Sequence, residues 1–320
     1  MPSHTKSVRL KAAPLRSGDR IGVIAPASSF KRQEFEAGCE ALRTLGYEPV
    51  FSDSIFDRDL YFAGSAERRC RELEQMFARD DVKGILCARG GYGANYLLPH
   101  LDIRKIAEHP KVFVGYSDLT TLMTWFYAAA GLVAFHGPMV AKDFARADGV
   151  DLSSWKAAVE GSGGWCLEFD SNSQVKALAT GSAEGVLYGG CLSMLVASLG
   201  TPWEIQTEGT IFFIEDVGTK PYQIDRMLMH LELAGKFEGV RGIIFGEMLD
   251  CAPPLGQSYT LEQVMMRIIG GLNVPVVYGV PSGHVAGQNI TLPMGVNVSL
   301  EANGSAVRVS ALEPVTEWVG

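Results

Sequence analysis

Three side chains from distant parts of this 320-residue chain could together act as a nucleophile, a general base and an orienting acid, and the first of them is Ser117. It follows the apolar run KVFVG and precedes the helix-like run LTTLMTWFYAAAG, so the pattern predicts a sharp turn from strand to helix at this serine. Such a turn exposes the hydroxyl and points the N–H groups of the first helical turn at a developing oxyanion. The G-x-S-x-G motif is matched only in part, because Leu119 replaces its second glycine, and a helix N-cap is the alternative role for the serine.

The other two candidates are Glu215 and His284. Glu215 lies at the end of the very apolar run TIFFIEDV, and a carboxylate in that position needs a cationic or hydrogen-bonding partner if it is buried. Asp216 would point to the opposite side of an extended strand, so only one of the two acids can face a given site. His284 lies in the loop VPSGHVAGQN after the strand-like run VPVVYG. The alternative for Glu215 is a solvated position at the edge of the sheet, and the alternative for His284 is a solvated position in its loop.

The chain order of serine, acid and histidine is shared by several serine hydrolases built on parallel sheets. Ser117 is unreactive without a base beside it, and the neutral imidazole of His284 can accept its proton. Glu215 can fix the tautomer of that imidazole and stabilise its cationic form. These residue types therefore indicate a nucleophile, a general base and an orienting acid.

A glycine-rich segment, ARGGYG, directly follows the strand-like run GILCA. Adjacent glycines let the backbone turn its N–H groups toward an anion, which indicates a phosphate cradle or half of an oxyanion hole. We expect the amides of Gly91 and Asp118 to bind the oxyanion. Tyr96 stands where a dinucleotide fingerprint needs its third glycine, so a nicotinamide or flavin site is disfavoured, and a plain tight turn is the other alternative.

The sequence predicts neither a metal nor a cofactor. It contains no H-E-x-x-H motif and no C-x-x-C pair, and the H-x-E motif at His230 lacks the P-C-x-x-C of zinc deaminases. The six scattered cysteines are interpreted as buried thiols. His136 ends a strand-like run and could line the same cleft. Arg89 and Arg226 could contact a substrate carboxylate, with surface ion pairing as the alternative for both.

Composition narrows the class of partner. The chain is 47% hydrophobic, which is typical of a folded protein, and its net charge of −8 argues against broad binding to nucleic acid or to an anionic membrane. The N-terminal segment has no apolar core of signal-peptide length, and the longest apolar stretch, Trp125 to Phe135, is too short to span a bilayer. We therefore expect a cytoplasmic protein that binds a small molecule.

The elements that must position these residues indicate an α/β fold. From Arg20 to Val140 short β-branched runs alternate with amphipathic helical ones, which predicts a parallel sheet with helices on both faces. After Gly185 a second alternation begins with the apolar helix GGCLSMLVASLG, which the glycines are expected to open. Apolar density drops between the two, where GSGG and SNSQ are typical of a connector. We predict an N-terminal domain over residues 1–145, a linker over 146–182 and a C-terminal α/β domain over 183–320.

Several motifs together resemble a known family. GDRIGVIAPAS, YFAGS, ARGGYG, VGYSDLTTL, FHGPM, LYGGCLSML, FIEDV with PYQIDRML, and VPSGH with TLPMG are similar to motifs of the LD-carboxypeptidases, and they occur in the same order. The resemblance implies a Rossmann-like N-terminal domain of the class I glutamine amidotransferase type and a C-terminal α/β domain. It also implies a homodimer in the bacterial cytoplasm that uses a Ser–His–Glu triad without metal.

Carried over by position, the resemblance assigns the nucleophile to Ser117 in GYSD, the acid to Glu215 in IEDV and the base to His284 in PSGH, with oxyanion donors at Gly91 and Asp118. The implied substrate is a murein tetrapeptide, cleaved between the L-centre of its third residue and its terminal D-Ala.

A related branch, the microcin-immunity peptidases, cleaves aminoacyl-nucleotide analogues with the same triad. The short stretch from Pro202 to Thr210 leaves little room for a loop that would hold a base, which favours the murein peptide. A non-catalytic module that binds an anion through its glycine loop is the alternative from another functional class.

Overall fold

The computed structural model describes residues 9–161, 164–304 and 306–318. Residues 1–8 of the N-terminal segment and residues 162–163 of the predicted connector lie outside the described residues. The strands are β1 (Arg20–Ile24), β2 (Glu48–Val50), β3 (Val82–Cys87), β4 (Val112–Gly115), β5 (Ala134–His136), β6 (Cys166–Phe169), β7 (Lys176–Ala179), β8 (Gly181–Cys191), β9 (Thr210–Glu215), β10 (Gly242–Gly246), β11 (Val276–Val280), β12 (Leu292–Met294), β13 (Asn297–Asn303) and β14 (Ala306–Ala311). The helices are α1 (Arg32–Thr44), α2 (Ala66–Ala78), α3 (Ile103–Ala107), α4 (Thr120–Ala130), α5 (Leu152–Val159), α6 (Leu192–Ala197), α7 (Pro221–Leu233) and α8 (Leu261–Ile269).

The first sheet confirms the predicted α/β alternation. In the described part of the chain it has six strands in the order β12-β5-β4-β3-β1-β2, and β1 to β5 are parallel. β12 comes from the far end of the chain and pairs antiparallel with β5, so that Leu292 lies opposite His136. Because the carboxyl ends of parallel strands share one edge of a sheet, the loops after β3 and β4 meet there.

The second sheet has eight described strands in the order β6-β14-β13-β8-β9-β10-β11-β7. Its centre, β8 to β11, is parallel, whereas the outer strands pair antiparallel. The stretch interpreted as a connector contributes α5 and the strands β6 and β7. The domain boundaries themselves stay a prediction.

Gly189 and Gly190 lie inside strand β8, which ends at Cys191, and α6 begins only at Leu192. The expectation that these glycines open the helix GGCLSMLVASLG is therefore wrong. The reason is a close approach between neighbouring strands. A Cβ on Gly189 would lie 2.0 Å from the carbonyl oxygen of Phe213 on β9, so a side chain there would push the two strands apart.

One hydrophobic core joins the two sheets. It contains Val114 and Phe135 of the first sheet together with Leu187, Phe213 and Leu300 of the second, all buried. Burying side chains of this size stabilises the fold by about 1.5–3 kcal/mol each, so the shared core holds the two sheets together. None of the described helices has the length and apolarity needed to cross a membrane.

The cysteines form no disulfide within the described residues, as predicted. Five of the thiols are buried, but Cys166 is exposed, which corrects our interpretation of it as a buried thiol. Cys166 is the first residue of the edge strand β6, where only one strand face packs on the core.

Candidate active site

Ser117 lies at the predicted turn from strand to helix. β4 ends at Gly115, and a short 3-10 turn over Ser117–Leu119 leads into α4. The backbone of Ser117 has a φ of +65°, in the left-handed region that residues with a Cβ rarely adopt. Such a conformation costs about 1–3 kcal/mol and persists only where its surroundings enforce it. Ser117 is not a helix N-cap, because Leu119 occupies that position in α4 and no side chain caps it.

The glycine loop after β3 packs directly on this turn. A Cβ on Gly90 would lie 2.7 Å from the Cβ of Ser117, so only glycine allows the two segments to come this close. The next residue, Gly91, has a φ of +102°. The two segments that carry the expected oxyanion donors, Gly91 and Asp118, are therefore adjacent.

Two buried charged side chains hold the glycine loop in place, and the sequence did not predict this role for either. The Asp118 carboxylate accepts a hydrogen bond from the amide of Ala94 at 2.7 Å, and burial raises the pKa of Asp118 to about 6. Arg69 donates to the carbonyl oxygens of Pro26 at 2.7 Å and of Gly93 at 2.8 Å. The signal in the sequence that could have indicated these roles is a charged residue within an otherwise apolar turn or helix face. A charged group that is buried there needs hydrogen-bond partners.

Glu215 and His284 form a buried pair. Nδ1 of His284 lies 2.8 Å from Oε2 of Glu215, and the backbone amide of His284 donates to the same oxygen at 3.1 Å. Burial alone would raise the pKa of Glu215, but the adjacent His284 outweighs it, so the pKa lies below its ordinary value. A carboxylate can only accept, so Nδ1 carries the proton and Nε2 presents its lone pair.

The loop that carries His284 is held by Gly283 and Asn289. Gly283 has a φ of +94°, and a Cβ there would lie 2.7 Å from Cε1 of His136 and 2.8 Å from Cδ of Glu215. The Asn289 side chain binds both backbone groups of Gly283, accepting from its N–H at 3.0 Å and donating to its carbonyl at 3.1 Å. Asn289 is fully buried, and no local pattern in the sequence marks it.

His136 lies behind the acid. Its Nδ1 is 2.9 Å from Oγ of Ser282, and its Nε2 is 3.9 Å from Oε1 of Glu215. Neither Nε2 of His136 nor Oε1 of Glu215 has a hydrogen-bond partner among the described residues. Burial lowers the pKa of His136 to about 4, so the ring is neutral near pH 7. His136 thus lines the same cleft, as the sequence suggested.

Asp216 points away from this site, as expected for an extended strand. Its carboxylate accepts from the amides of Ser193 at 3.0 Å and Val217 at 2.8 Å, and from the hydroxyl of Thr219 at 3.0 Å. Asp216 therefore anchors the start of α6, and Glu215 alone faces His284.

Tyr116, the residue before Ser117, contacts the imidazole of His284. The ring of Tyr116 lies 5.1 Å from the imidazole of His284 in an edge-on arrangement, and the Tyr116 hydroxyl donates to Asp143 at 3.4 Å. Among the described residues no hydrogen bond joins the Ser117 hydroxyl to His284. Such catalytic contacts are often long without substrate and tighten in the reactive complex.

Three further residues that the sequence offered as candidates, Arg89, Arg226 and His230, are exposed. Arg89 donates to the carbonyl oxygen of Ser29 at 3.0 Å. Arg226 and His230 lie on the exposed face of α7.

Most of the chain matches the sequence models of one protein family. Residues 21–137 match the LD-carboxypeptidase N-terminal domain, and residues 184–300 match the LD-carboxypeptidase C-terminal domain. The chain belongs to the LD-carboxypeptidase family. Membership makes it a serine carboxypeptidase, and therefore a hydrolase.

Relatives in this family cover nearly the whole chain. The probable murein peptide carboxypeptidase of Bacillus subtilis is 37% identical over 300 residues, which are 92% of each chain. The murein tetrapeptide carboxypeptidase of Pseudomonas aeruginosa is 31% identical over 301 residues, 89% of this chain and 94% of that one. A solved structure of the microcin C7 self-immunity protein MccF, 26% identical, has a TM-score of 0.86 and covers 96% of this chain and 100% of its own. The family therefore includes proteins with two different named roles.

Proposed function

We propose that this protein is a serine LD-carboxypeptidase that releases the terminal D-Ala from a murein tetrapeptide. The observation that supports this most strongly is the buried pair of Glu215 and His284, which leaves Nε2 unprotonated, while the imidazole lies 5.1 Å from the ring of Tyr116, the residue before Ser117. The proposal is also supported by the names of the relatives from B. subtilis and P. aeruginosa, a probable murein peptide carboxypeptidase and a murein tetrapeptide carboxypeptidase. In this proposal the enzyme works as a homodimer in the cytoplasm.

In the proposed reaction the Ser117 oxygen attacks the carbonyl carbon of the third residue while Nε2 of His284 takes the hydroxyl proton. Glu215 stabilises the imidazolium, and the amides of Gly91 and Asp118 bind the oxyanion, at about 3 kcal/mol per donor. When the intermediate collapses, the C–N bond breaks and the imidazolium gives its proton to the leaving amine of D-Ala. Water, activated by the same imidazole, then hydrolyses the ester and restores Ser117.

A second substrate class, an aminoacyl-nucleotide analogue, is favoured by one specific observation. The rings of Tyr61, Phe62, Tyr92 and Tyr96 cluster beside the glycine loop with centroids 4.4–6.1 Å apart, and the three tyrosines are exposed. Exposed aromatic faces can stack a nucleobase. The similarity to MccF points the same way, whereas the short stretch from Pro202 to Thr210 argues for the peptide.

The two substrate classes can be separated in one assay. Murein tetrapeptide, murein pentapeptide and an aminoacyl-sulfamoyl adenylate would be incubated with the protein, and the released product identified by mass spectrometry. We expect D-Ala from the tetrapeptide alone. Turnover of the adenylate without turnover of the tetrapeptide would overturn the proposed substrate.

Ser117→Ala tests the nucleophile. We expect kcat/KM to fall by roughly 10⁴ or more, because the attacking oxygen is lost. A phosphonate that reacts with activated serines should label the wild-type protein at residue 117 and leave the variant unlabelled. Ser153→Ala, an exposed serine on α5, is the matched control and should be labelled like the wild type. Undiminished turnover by Ser117→Ala would show that the nucleophile lies elsewhere.

A further inference from the structure

Cys191 is a buried thiol beside the acid and base that the proposed reaction does not use. It ends β8 and is paired in register with Glu215 on β9. Residues in register on neighbouring parallel strands project to the same face of the sheet, so the thiol lies next to the carboxylate. Sγ of Cys191, a carboxylate oxygen of Glu215 and a ring nitrogen of His284 all lie within 4.8 Å of one another.

This set of donors matches the preferences of Zn²⁺. Zinc binds thiolate, imidazole and carboxylate at about 2.0–2.3 Å in a tetrahedral arrangement. The donor atoms of such a site are about 3.5 Å apart, so an ion between the three side chains requires shifts of roughly 1 Å or less. Other divalent cations that accept sulfur and nitrogen ligands would fit the same donors.

A second observation points independently to a cation. Oε1 of Glu215 is buried and has no hydrogen-bond partner among the described residues. A carboxylate oxygen in that situation is costly, and a metal ion would satisfy it. Nε2 of His136, also without a partner in the described chain, lies 3.9 Å from this oxygen.

We propose that Cys191, Glu215 and His284 form an inhibitory binding site for Zn²⁺, with water as the fourth ligand. The thiol releases its proton to solvent when the ion binds, because the thiolate is the ligand. The proton on Nδ1 of His284 moves to Nε2 as Nδ1 binds the ion in place of its hydrogen bond to Glu215. The bound ion occupies the carboxylate and an imidazole nitrogen, so His284 is no longer oriented to take a proton from serine. The inhibitory effect rests on the proposed function, whereas ion binding by these three side chains does not.

Binding is tested without reference to activity. Co²⁺ would be titrated into the full-length protein, and the charge-transfer absorption of a cobalt–thiolate bond recorded in the near ultraviolet. We expect one saturable site that Zn²⁺ competes for and that Cys191→Ser weakens by roughly 100-fold or more, since loss of a direct ligand exceeds the 10–100-fold cost of losing an outer-shell partner. Cys166→Ser removes the exposed thiol and should leave the absorption unchanged.

The controls make each outcome decisive. Cys191→Ala, compared with Cys191→Ser by thermal unfolding, separates loss of a ligand from loss of the fold, because both variants remove the thiolate. An absorption that persists in both folded variants, or that disappears in Cys166→Ser, would overturn the site.

Inhibition is measured by phosphonate labelling of Ser117, which needs no assumption about the substrate. Zn²⁺ should protect the wild-type protein, and roughly 100-fold more Zn²⁺ should be needed to protect Cys191→Ser, each rate being normalised to that of the same variant without zinc. If labelling responds to Zn²⁺ in this way while the tetrapeptide is not turned over, the proposed substrate is wrong and the metal site stands. Equal protection of both proteins, or none, would overturn the inhibitory site.

Discussion

The proposed nucleophile and the proposed acid–base pair are held in place in different ways. Ser117 is positioned by the backbone of consecutive residues, in which β4, a left-handed serine, a 3-10 turn and α4 follow one another. Glu215 and His284 come from separate segments and are held by side-chain hydrogen bonds and by a close approach at Gly283. One half of the site is therefore encoded locally and the other depends on long-range contacts, which makes the effect of substitutions in each half different.

The largest expected effect tests whether the two halves act as one unit. Glu215→Gln should lower kcat/KM by roughly 10⁴, because an amide can donate to the imidazole and favour the wrong tautomer. Combined with Ser117→Ala it should cause little further loss, since a triad without its nucleophile gains nothing from its acid.

The measurement is kcat/KM for both single variants and the double variant. Asp216→Asn, the neighbouring acid on the opposite strand face, is the matched control and should retain activity within about tenfold, because it touches α6 and not the imidazole. If the two losses multiply, the serine and the acid do not belong to one catalytic unit.

The next effect concerns the close approach at Gly283. Gly283→Ala combines a left-handed backbone with a Cβ that collides with His136 and Glu215, so it should lower the free energy of unfolding by about 4 kcal/mol. Gly287→Ala in the same loop has open space around its Cβ and should be close to wild type. Urea unfolding of both variants is the measurement. Equal stability of the two would mean that Gly283 is not confined as described.

A substitution at Asn289 tests whether the loop that carries His284 is supported independently of the turn at Ser117. Asn289→Ala leaves the buried N–H and carbonyl of Gly283 without partners, which should cost about 3 kcal/mol. Hydrogen exchange should accelerate in the segment 281–290 and stay unchanged around Ser117. Gln288→Ala, an exposed neighbour, is the control. Faster exchange at both places would argue against separate supports for the two halves.

The smallest expected effect is a pH dependence of the free energy of unfolding, caused by the buried carboxyl group of Asp118 next to Ser117. The pKa of Asp118 is raised to about 6 from 3.8, so between about pH 4 and about pH 6 the folded protein binds more protons at this residue than the unfolded chain. The free energy of unfolding of the wild type, relative to Asp118→Asn, should therefore fall by roughly 2–3 kcal/mol as the pH rises through this range, and then level off. Urea titrations at several pH values measure it. A constant difference would show that the carboxyl is not destabilised by burial.

The sequence predicted the locally encoded features well. The amphipathic helix expected after the first strand is present as α1, with Phe35, Cys39 and Leu42 buried on one face, and the strand-to-helix turn at Ser117 is present. Periodicity alone could not identify β6, β7 or β12, because they are short and pair with residues far along the chain. Among the features around the proposed site, the roles of Asn289 and Arg69 depend on contacts that exist only after folding.

The pairing of β12 with β5 has a consequence for synthesis on the ribosome. The first sheet receives its last strand only when Leu292–Met294 has been translated, although the other strands are complete by His136. Until then the nascent N-terminal half carries an open strand edge, and such edges recruit other chains. A fragment truncated before β12 would keep that edge permanently, so separately expressed halves should aggregate unless they are produced together.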